Sequence, residues 1–506
     1  MPFIGKSEAR PGFQGSETTT AICTVYQHGD DPIILTGEGK GSSTFAGRKS
    51  TDNVPSVLSV QTQKAMGSAS GNFVMTVKPS KAAESLFDSI VDDDWIDISF
   101  GRHGQSWHVF RGLIDEIRTR KSVGGTGATT EVMILTGRDF GKIWEQTPIW
   151  FNPYASHEFV ERKTARNIFN GLLQVHGDPG TVAMTFLRDF LEAIADEKGA
   201  NWNPPNGMPG IVGSSIKDSI IYSQKYYQDK PHRINFNLHS AVPQGMLWDL
   251  AKQYSDPMFT ELYADVLPDG DPYSPRIQAG DPFDPSETKM AVVIRDKPFP
   301  VVYSEIEDYH SEWENLPLFE VQRQEIDTVD LGRSGFERYN IFFVAGLMTQ
   351  ENFAEHAITQ LQPLYDGDSI RRHGMRRMDI QLGVRTNPAY SLDYTTLVRH
   401  MRYLLRDWYC MNPYLYSGTI QLAHGRPDIK IGCRVRIPGA ALSNNQEQPT
   451  ETYYVETVDH SWQFGAGMRT TLGVTRGWLG TDDSYLAALA TIADRYQLAD
   501  LTGGME

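Results

Sequence analysis

Carboxylates are the first candidates for chemistry in this chain. Asp92, Asp93, Asp94 and Glu116 supply the residue types a glycosidase uses, one as general acid and one as base or nucleophile, if they face each other across a cleft. In sequence, Asp92 to Asp94 read as a turn before a strand at Trp95. A second acidic group, Asp265, Asp269, Asp271, Asp281 and Asp284, raises calcium binding. It lacks the Asp-x-Asp-x-Asp-Gly spacing and the twelfth-position glutamate of an EF-hand, and its prolines suit a solvated loop. The histidines form no His-Glu-x-x-His, so His232, His239, His400 and His424 read as surface or core residues. There is no Gly-x-Ser-x-Gly elbow and no Gly-x-x-x-x-Gly-Lys-Ser/Thr loop. Residues 39–43 (GKGSS) have the composition of a phosphate cradle without its spacing, and read as a turn. No catalytic residue, cofactor or metal site is assigned on these grounds. The sharpest charged feature is Arg371, Arg372, Arg376 and Arg377, set around His373, Gly374 and Met375. In a chain of net charge -16, these guanidinium groups either dock an acidic partner surface through planar pairs or form a solvated, internally paired loop.

The elements that must position these residues are mostly strands. The chain has 506 residues, enough for two to four domains, with 40% hydrophobic and 22% charged positions. Aromatic residues make up 11%, and 45 Gly and 28 Pro accompany them, which suits strands, turns and large contact surfaces. The acidic balance opposes stable nucleic-acid binding, because phosphate contacts need a Lys/Arg surface. Cys23, Cys410 and Cys433 are too few and too far apart for a disulfide framework and fit a reducing cytoplasm. The first residues lack the apolar run of a secretory signal, and no stretch approaches the ~18 apolar residues of a membrane helix.

Along the chain, residues 1–18 read as a flexible arm and 19–148 as a β-rich domain, with a flexible hairpin loop at 122–129. An intervening mixed α/β domain is expected over 149–300. Its helices carry Ile168, Phe169, Leu172 and Leu173, then Phe186, Leu187, Phe190, Leu191 and Ile194, then Met246, Leu247, Leu250, Ala251 and Tyr254. Strands are expected at 259–265 and 290–294, around a Pro/Asp/Gly loop at 267–288. A second β-rich domain spans 301–480, with a helical insertion at about 350–412 that includes Leu397, Val398, Met401, Leu404, Leu405 and Trp408. A C-terminal helix and tail occupy 481–506.

The two β-rich domains look like copies of each other. Residues 71–75 (GNFVM), 94–98 (DWIDI), 109–115 (VFRGLID) and 135–138 (LTGR) recur in order as 418–422 (GTIQL), 433–437 (CRVRI), 453–459 (YYVETVD) and 472–476 (LGVTR). The fold class expected is therefore α+β, mainly β, with two similar antiparallel β-barrels flanking a mixed helical domain.

The second copy, from Ser417 through residues 427–432, 453–460 and 470–477, resembles the C-terminal barrel of baseplate hub proteins of contractile-tailed bacteriophages. Residues 247–250, 259–265 and 294–299 are similar to the middle domain of that family, and residues 111–115 to its N-terminal block. At Arg372 to Arg376 the family tends to carry an aromatic-Gly-x-Arg element, and here His373 replaces the aromatic. The resemblance spans roughly residues 20–480. It implies a homotrimeric structural hub, in which two barrels per chain build a six-barrel ring that adapts a six-fold tail tube to a three-fold spike. The implied partners are the chain itself, a tail tube or tube-initiator protein, the central spike protein and baseplate wedge proteins. Neither stable nucleic-acid binding nor integral membrane association is implied. The implied location is the virion baseplate, after assembly in the host cytoplasm, and the implied role includes part of a DNA-ejection channel, for which an acidic lumen is expected. The alternatives are a tail-associated glycosidase or peptidoglycan hydrolase and a carbohydrate-binding adhesin.

Overall fold

The computed structural model describes residues 19–27, 31–38, 54–55, 57–78, 89–102, 104–123, 129–149, 183, 185–191, 205, 208–209, 220–223, 245–255, 257–303, 311–346, 362–382, 391–438 and 450–498. The arm at 1–18, the 39–43 segment, the helix expected around Ile168, His232, His239 and the last eight residues lie outside them.

The first unit is a curled sheet. Its strands are β1 (Thr19–Tyr26), β2 (Ile33–Glu38), β3 (Val54–Pro55), β4 (Val57–Ala65), β5 (Asn72–Val77), β6 (Trp95–Arg102), β7 (Gln105–Val123) and β8 (Thr129–Asp139), in the spatial order β4-β5-β8-β7-β6-β1-β2-β3. Period-2 patterning sets the buried face. In β5, Phe73, Met75 and Val77 are buried while Asn72 and Val74 are exposed. β3 pairs with β2 at one end of the sheet, and one residue later the chain enters β4 at the other end, so the sheet turns back on itself.

The central region holds α1 (Lys142–Gln146), β9 (Pro148–Ile149), a π-helical turn (Thr185–Phe190), β10 (Ile220–Ser223), β11 (Gly245–Met246), α2 (Leu247–Tyr254), β12 (Thr260–Pro268), α3 (Pro275–Ala279) and β13 (Thr288–Asp296). β10, β13 and β12 form a three-stranded sheet in that order, and β9 pairs with β11. The Pro/Asp/Gly loop is an anchored insertion. Asp271 and Asp284 close Asx turns on Tyr273 and Ser286, Ile277 is buried, and Phe283 exchanges backbone hydrogen bonds with Ser106 and His108 on β7.

Next come β14 (Leu318–Glu320), β15 (Ile326–Gly332), β16 (Ile341–Gly346), β17 (Leu364–Tyr365), α4 (Gly367–His373), β18 (Arg377–Leu382), α5 (Ser391–Tyr409), β19 (Tyr416–Leu422), β20 (Arg434–Ile437), β21 (Glu451–Gln463), β22 (Gly467–Leu479), α6 (Asp482–Ala493) and β23 (Gln497–Leu498). The segment expected to be helical thus also carries strands, which join β23 in a four-stranded sheet ordered β18-β16-β17-β23. On α5, Val398, Met401, Leu404, Leu405 and Trp408 make the apolar stripe that its helical spacing dictates. That stripe shares one core with α2, α6, Phe299 and Trp313.

The second unit repeats the first. Its order, β15-β19-β22-β21-β20-β14, matches β4-β5-β8-β7-β6 followed by β3, without the β1–β2 hairpin. The match extends to irregularities. In β4·β5 one residue bulges between the pairs Val57↔Val77 and Ser59↔Thr76; in β15·β19 one bulges between Ile326↔Leu422 and Thr328↔Gln421. In β7·β8 a bulge sits between Ile114↔Gly137 and Glu116↔Thr136; in β21·β22 one sits between Val455↔Val474 and Thr457↔Gly473. A bulge disrupts the ladder and bends the strand, so the same two bulges at the same two places mark one design used twice.

The two units expected as barrels are joined edge to edge: β21 pairs with β4, from Thr457↔Ala65 to Gln463↔Ser59, which makes a single 14-stranded sheet. Each unit keeps its own core, one around Phe73, Phe100, Phe110 and Trp462, the other around Val435, Tyr453, Val455 and Leu472.

Candidate assembly interface

The sequence signals that suggested duplication were partly in register. The paired bulges make Asp115 equivalent to Glu456, and Ile114 to Val455. Trp95, opposite Leu113, then matches Arg434, opposite Tyr454, and Leu135 matches Leu472, as the sequence comparison has them. The other two segments slip. Phe73, not Gly71, is equivalent to Gly418, and Gly112, not Val109, is equivalent to Tyr453. The shared Asp at 115 and 459 is therefore a coincidence of spelling. The true equivalents do the same work: Asp115 accepts from Arg138 at 2.8 Å, and Glu456 accepts from the Thr475 hydroxyl at 2.9 Å.

The seam between units shows how one copy joins the next. On its covered face Val60, Thr62 and Lys64 meet Val458, His460 and Trp462. Trp462 is 1% exposed, lies over Gly37 of β2, and donates to the Thr19 carbonyl at 3.3 Å. On the open face Gln61 donates diagonally to both carboxylate oxygens of Asp459, at 3.3 and 3.1 Å. Ser461 stands opposite Arg469, and Asp459 opposite Thr471. This face carries both charge signs among neutral polar groups, so the acidic excess is not gathered on it.

A buried charge cluster locks both units to the central sheet. Lys64 (β4) donates to Asp265 (β12) at 2.7 Å, and Lys430, from the second unit, lies 4.0 Å from the same carboxylate. Lys430 also donates to the His108 carbonyl of β7 at 3.1 Å. Burial opposes charge on Asp265, but the two lysines outweigh it and hold its carboxyl below the usual range. Burial pulls Lys430 down to about 8. Asp139 receives Gly141 N–H at 2.9 Å but lies 3.6 Å from Lys64, and burial pushes its carboxyl up to about 6. Beside this cluster, Arg111 grips Asp97 with two bonds of 2.7 and 2.9 Å. Arg295 holds Glu261 at 2.8 Å, the Gly432 carbonyl at 3.2 Å and the Tyr454 hydroxyl at 3.0 Å. Residues from all three regions thus meet in one buried network of opposite charges.

Of the carboxylates first considered for catalysis, Asp93 and Asp94 lie beside the strand that carries Glu116, since the Asp93 N–H donates to the Ile114 carbonyl and the Ile114 N–H to the Asp94 carbonyl. Asp93 adopts a left-handed turn conformation and pairs with Lys142, Asp94 caps the Val91 N–H, and Glu116 pairs with Arg118 on an exposed strand. An open cleft of about 510 Å³ is lined by Lys252, Glu261, Lys297, Tyr409, Glu456 and Arg476 among others. Three acids line it: Glu261 is held by Arg295, Glu456 accepts from the Thr475 hydroxyl, and Glu337 stands on the same wall. Among the described residues, no three His, Cys, Asp or Glu side chains converge as metal ligands, and no helix is long and apolar enough to cross a membrane.

The arginine cluster is exposed. Arg371 and Arg372 occupy the last turn of α4, whose N-cap Asp366 receives the Ser369 N–H, and Gly374 ends it with a positive φ of 75°. Arg371 pairs with Asp368, and Arg377 pairs with Asp379 while lying over Phe343. Asn340 fixes this turn by accepting the Arg376 N–H at 2.7 Å and donating to the Gly374 carbonyl at 2.8 Å. Next to the arginines Met375 is 79% exposed.

No family model and no curated protein matches the chain. Among solved structures it is similar to a tail protein from Neisseria meningitidis MC58, at 11% identity over 90% of this chain and 96% of that one, with a TM-score of 0.46. It is also similar to the 43 kDa tail protein of prophage MuSo2 from Shewanella oneidensis, at 10% identity over 90% and 98%, with a TM-score of 0.46. An Escherichia coli component of the type VI secretion system aligns at 8% identity over 85% and 76%, with a TM-score of 0.36.

Proposed function

We propose that the chain is a structural component of a phage-type tail: a homotrimeric baseplate hub that adapts a six-fold tube to a three-fold spike and lines part of the DNA-ejection channel. The observation that supports this most is the repeated sheet unit with its two matched bulges, joined head to tail by β4·β21. A chain with two copies of one unit offers two equivalent surfaces, so three chains present six. The exposed arginines at 371, 372, 376 and 377 are assigned to an acidic partner surface, on the spike or a wedge protein.

The reading is non-enzymatic. Two of the three acids of the cleft, Glu261 and Glu456, are held by Arg295 and Thr475, and the sequence candidates for a carboxylate pair are not among its lining residues. The test is the mass of the purified full-length chain by light scattering after size exclusion, followed by imaging with tube and spike proteins. A mass of three chains, and rings seated between tube and spike, are expected. A monomer that digests cell-wall material would overturn the proposal.

A further inference from the structure

The internal seam predicts a second seam between chains. β15 ends the 14-stranded sheet, and beyond Ile114 β7 pairs only with β8 among the described residues, so each carries a free edge. These two edges are the equivalents of the pair already joined. By the bulge correspondence, β7 stands for β21 and β15 stands for β4. Resting on the trimer reading above, we propose that β15 of one copy pairs antiparallel with residues 116–122 of β7 in a second copy, in the register of β4·β21.

That register is specific. Ser461↔Gln61 becomes Arg120↔Asp330, and Gln463↔Ser59 becomes Ser122↔Thr328. The observed diagonal contact between Gln61 and Asp459 becomes a contact between Asp330 and Arg118. Asp330 of one copy then sits between Arg118 and Arg120 of the next, so an amide–carboxylate contact within the chain is replaced by an ion pair between chains. On the other face, Thr119 meets Leu331 and Lys121 meets Val329. Val329 and Leu331 already pack against the second core, Ile117 packs against the first, and the seam covers all three. Because the contact is head to tail, it continues around a ring, and an unpaired sheet edge is left nowhere along it.

The experiment uses the full chain. Asp330→Arg places three arginines together and should shift the trimer to monomer in light scattering. Adding Arg118→Glu and Arg120→Glu to that variant should restore the trimer. Separately, Ser122→Cys with Thr328→Cys should give covalent dimers and trimers on a non-reducing gel after mild oxidation; the native cysteines are all buried and do not compete. A parent of trimeric mass that neither cross-links through this pair nor responds to the charge swap overturns this register and leaves the trimer standing. A monomeric parent overturns both.

Discussion

At the scale of single residues, the buried ionisable groups pull stability in opposite directions with pH. His460 is buried against Phe100, with Nδ1 2.9 Å from the Thr470 hydroxyl, and burial lowers its pKa to about 3. The unfolded chain takes up that proton near pH 6.5 and the folded chain does not, so the stability it contributes is full above 6.5 and is lost as pH falls toward 3. Asp139 has the opposite sign. With its carboxyl raised to about 6, the folded state holds a proton that the unfolded state releases near 3.9, so stability is lost as pH rises from about 4 to 6. In melting curves between pH 4 and 7.5, His460→Gln should gain on the parent toward acid, and Asp139→Asn should gain toward neutral pH. Parallel curves for either variant would refute the assigned cause. Asp265 carries a larger consequence, because its loss leaves Lys64 and Lys430 buried without a counter-charge. Asp265→Asn should cost about 3–5 kcal/mol in denaturant unfolding, in line with breaking one side of a buried pair. A cost below about 1 kcal/mol would mean that water reaches the lysines.

At the scale of elements, the seam strands set the packing that the units share. Trp462 fills the junction between β21, β4 and β2, and an added Cβ at Gly37 would come within 2.3 Å of its ring. Trp462→Ala should therefore cost about 3–5 kcal/mol, the usual range for emptying a buried large aromatic site. Gly37→Ala should destabilise by overpacking the same place, by about 1–3 kcal/mol. Equilibrium unfolding of both variants checks this, and near-neutral values would place the ring in a looser site. What was legible at this scale was whatever repeats with a period. α5 announced itself through Val398, Met401, Leu404, Leu405 and Trp408, and β12, β13 and the repeated order of β5, β6, β7 and β8 were visible as short apolar runs. The register of β5 and β7 was not legible, because short apolar runs with period 2 match each other at several offsets, and matching final Asp residues misled the alignment. The seam partners were not legible either, since Thr62 and Lys64 are polar residues on a covered face. The one available signal was their period-2 spacing with Val60, which puts all three on the same side as the core. Asp265 was misread as part of a solvated loop, although it closes the strand-like run at 259–265.

At the scale of the whole molecule, charge is distributed unevenly over the architecture. The chain carries net charge -16, yet Arg371, Arg372, Arg376 and Arg377 stand together on the four-stranded sheet and its helix α4, apart from the repeated units. The two functions assigned to the surface are thus carried by different parts. On the proposed reading, the edges of β7 and β15 join like copies, while the arginine turn meets an unlike, acidic protein. Exposed ion pairs such as Arg371–Asp368 contribute little to stability, so the patch can be rewritten without unfolding its support. Replacing all four arginines with glutamate should leave the trimeric mass and the melting temperature nearly unchanged. It should weaken association with the spike or wedge protein of the same tail at least tenfold, and the parent's affinity should fall with added salt while the variant's stays flat. Surface-immobilised parent and variant titrated with each partner at two ionic strengths would measure this. Equal affinities would remove the patch from the docking surface, and loss of the trimer would move it to the contact between chains.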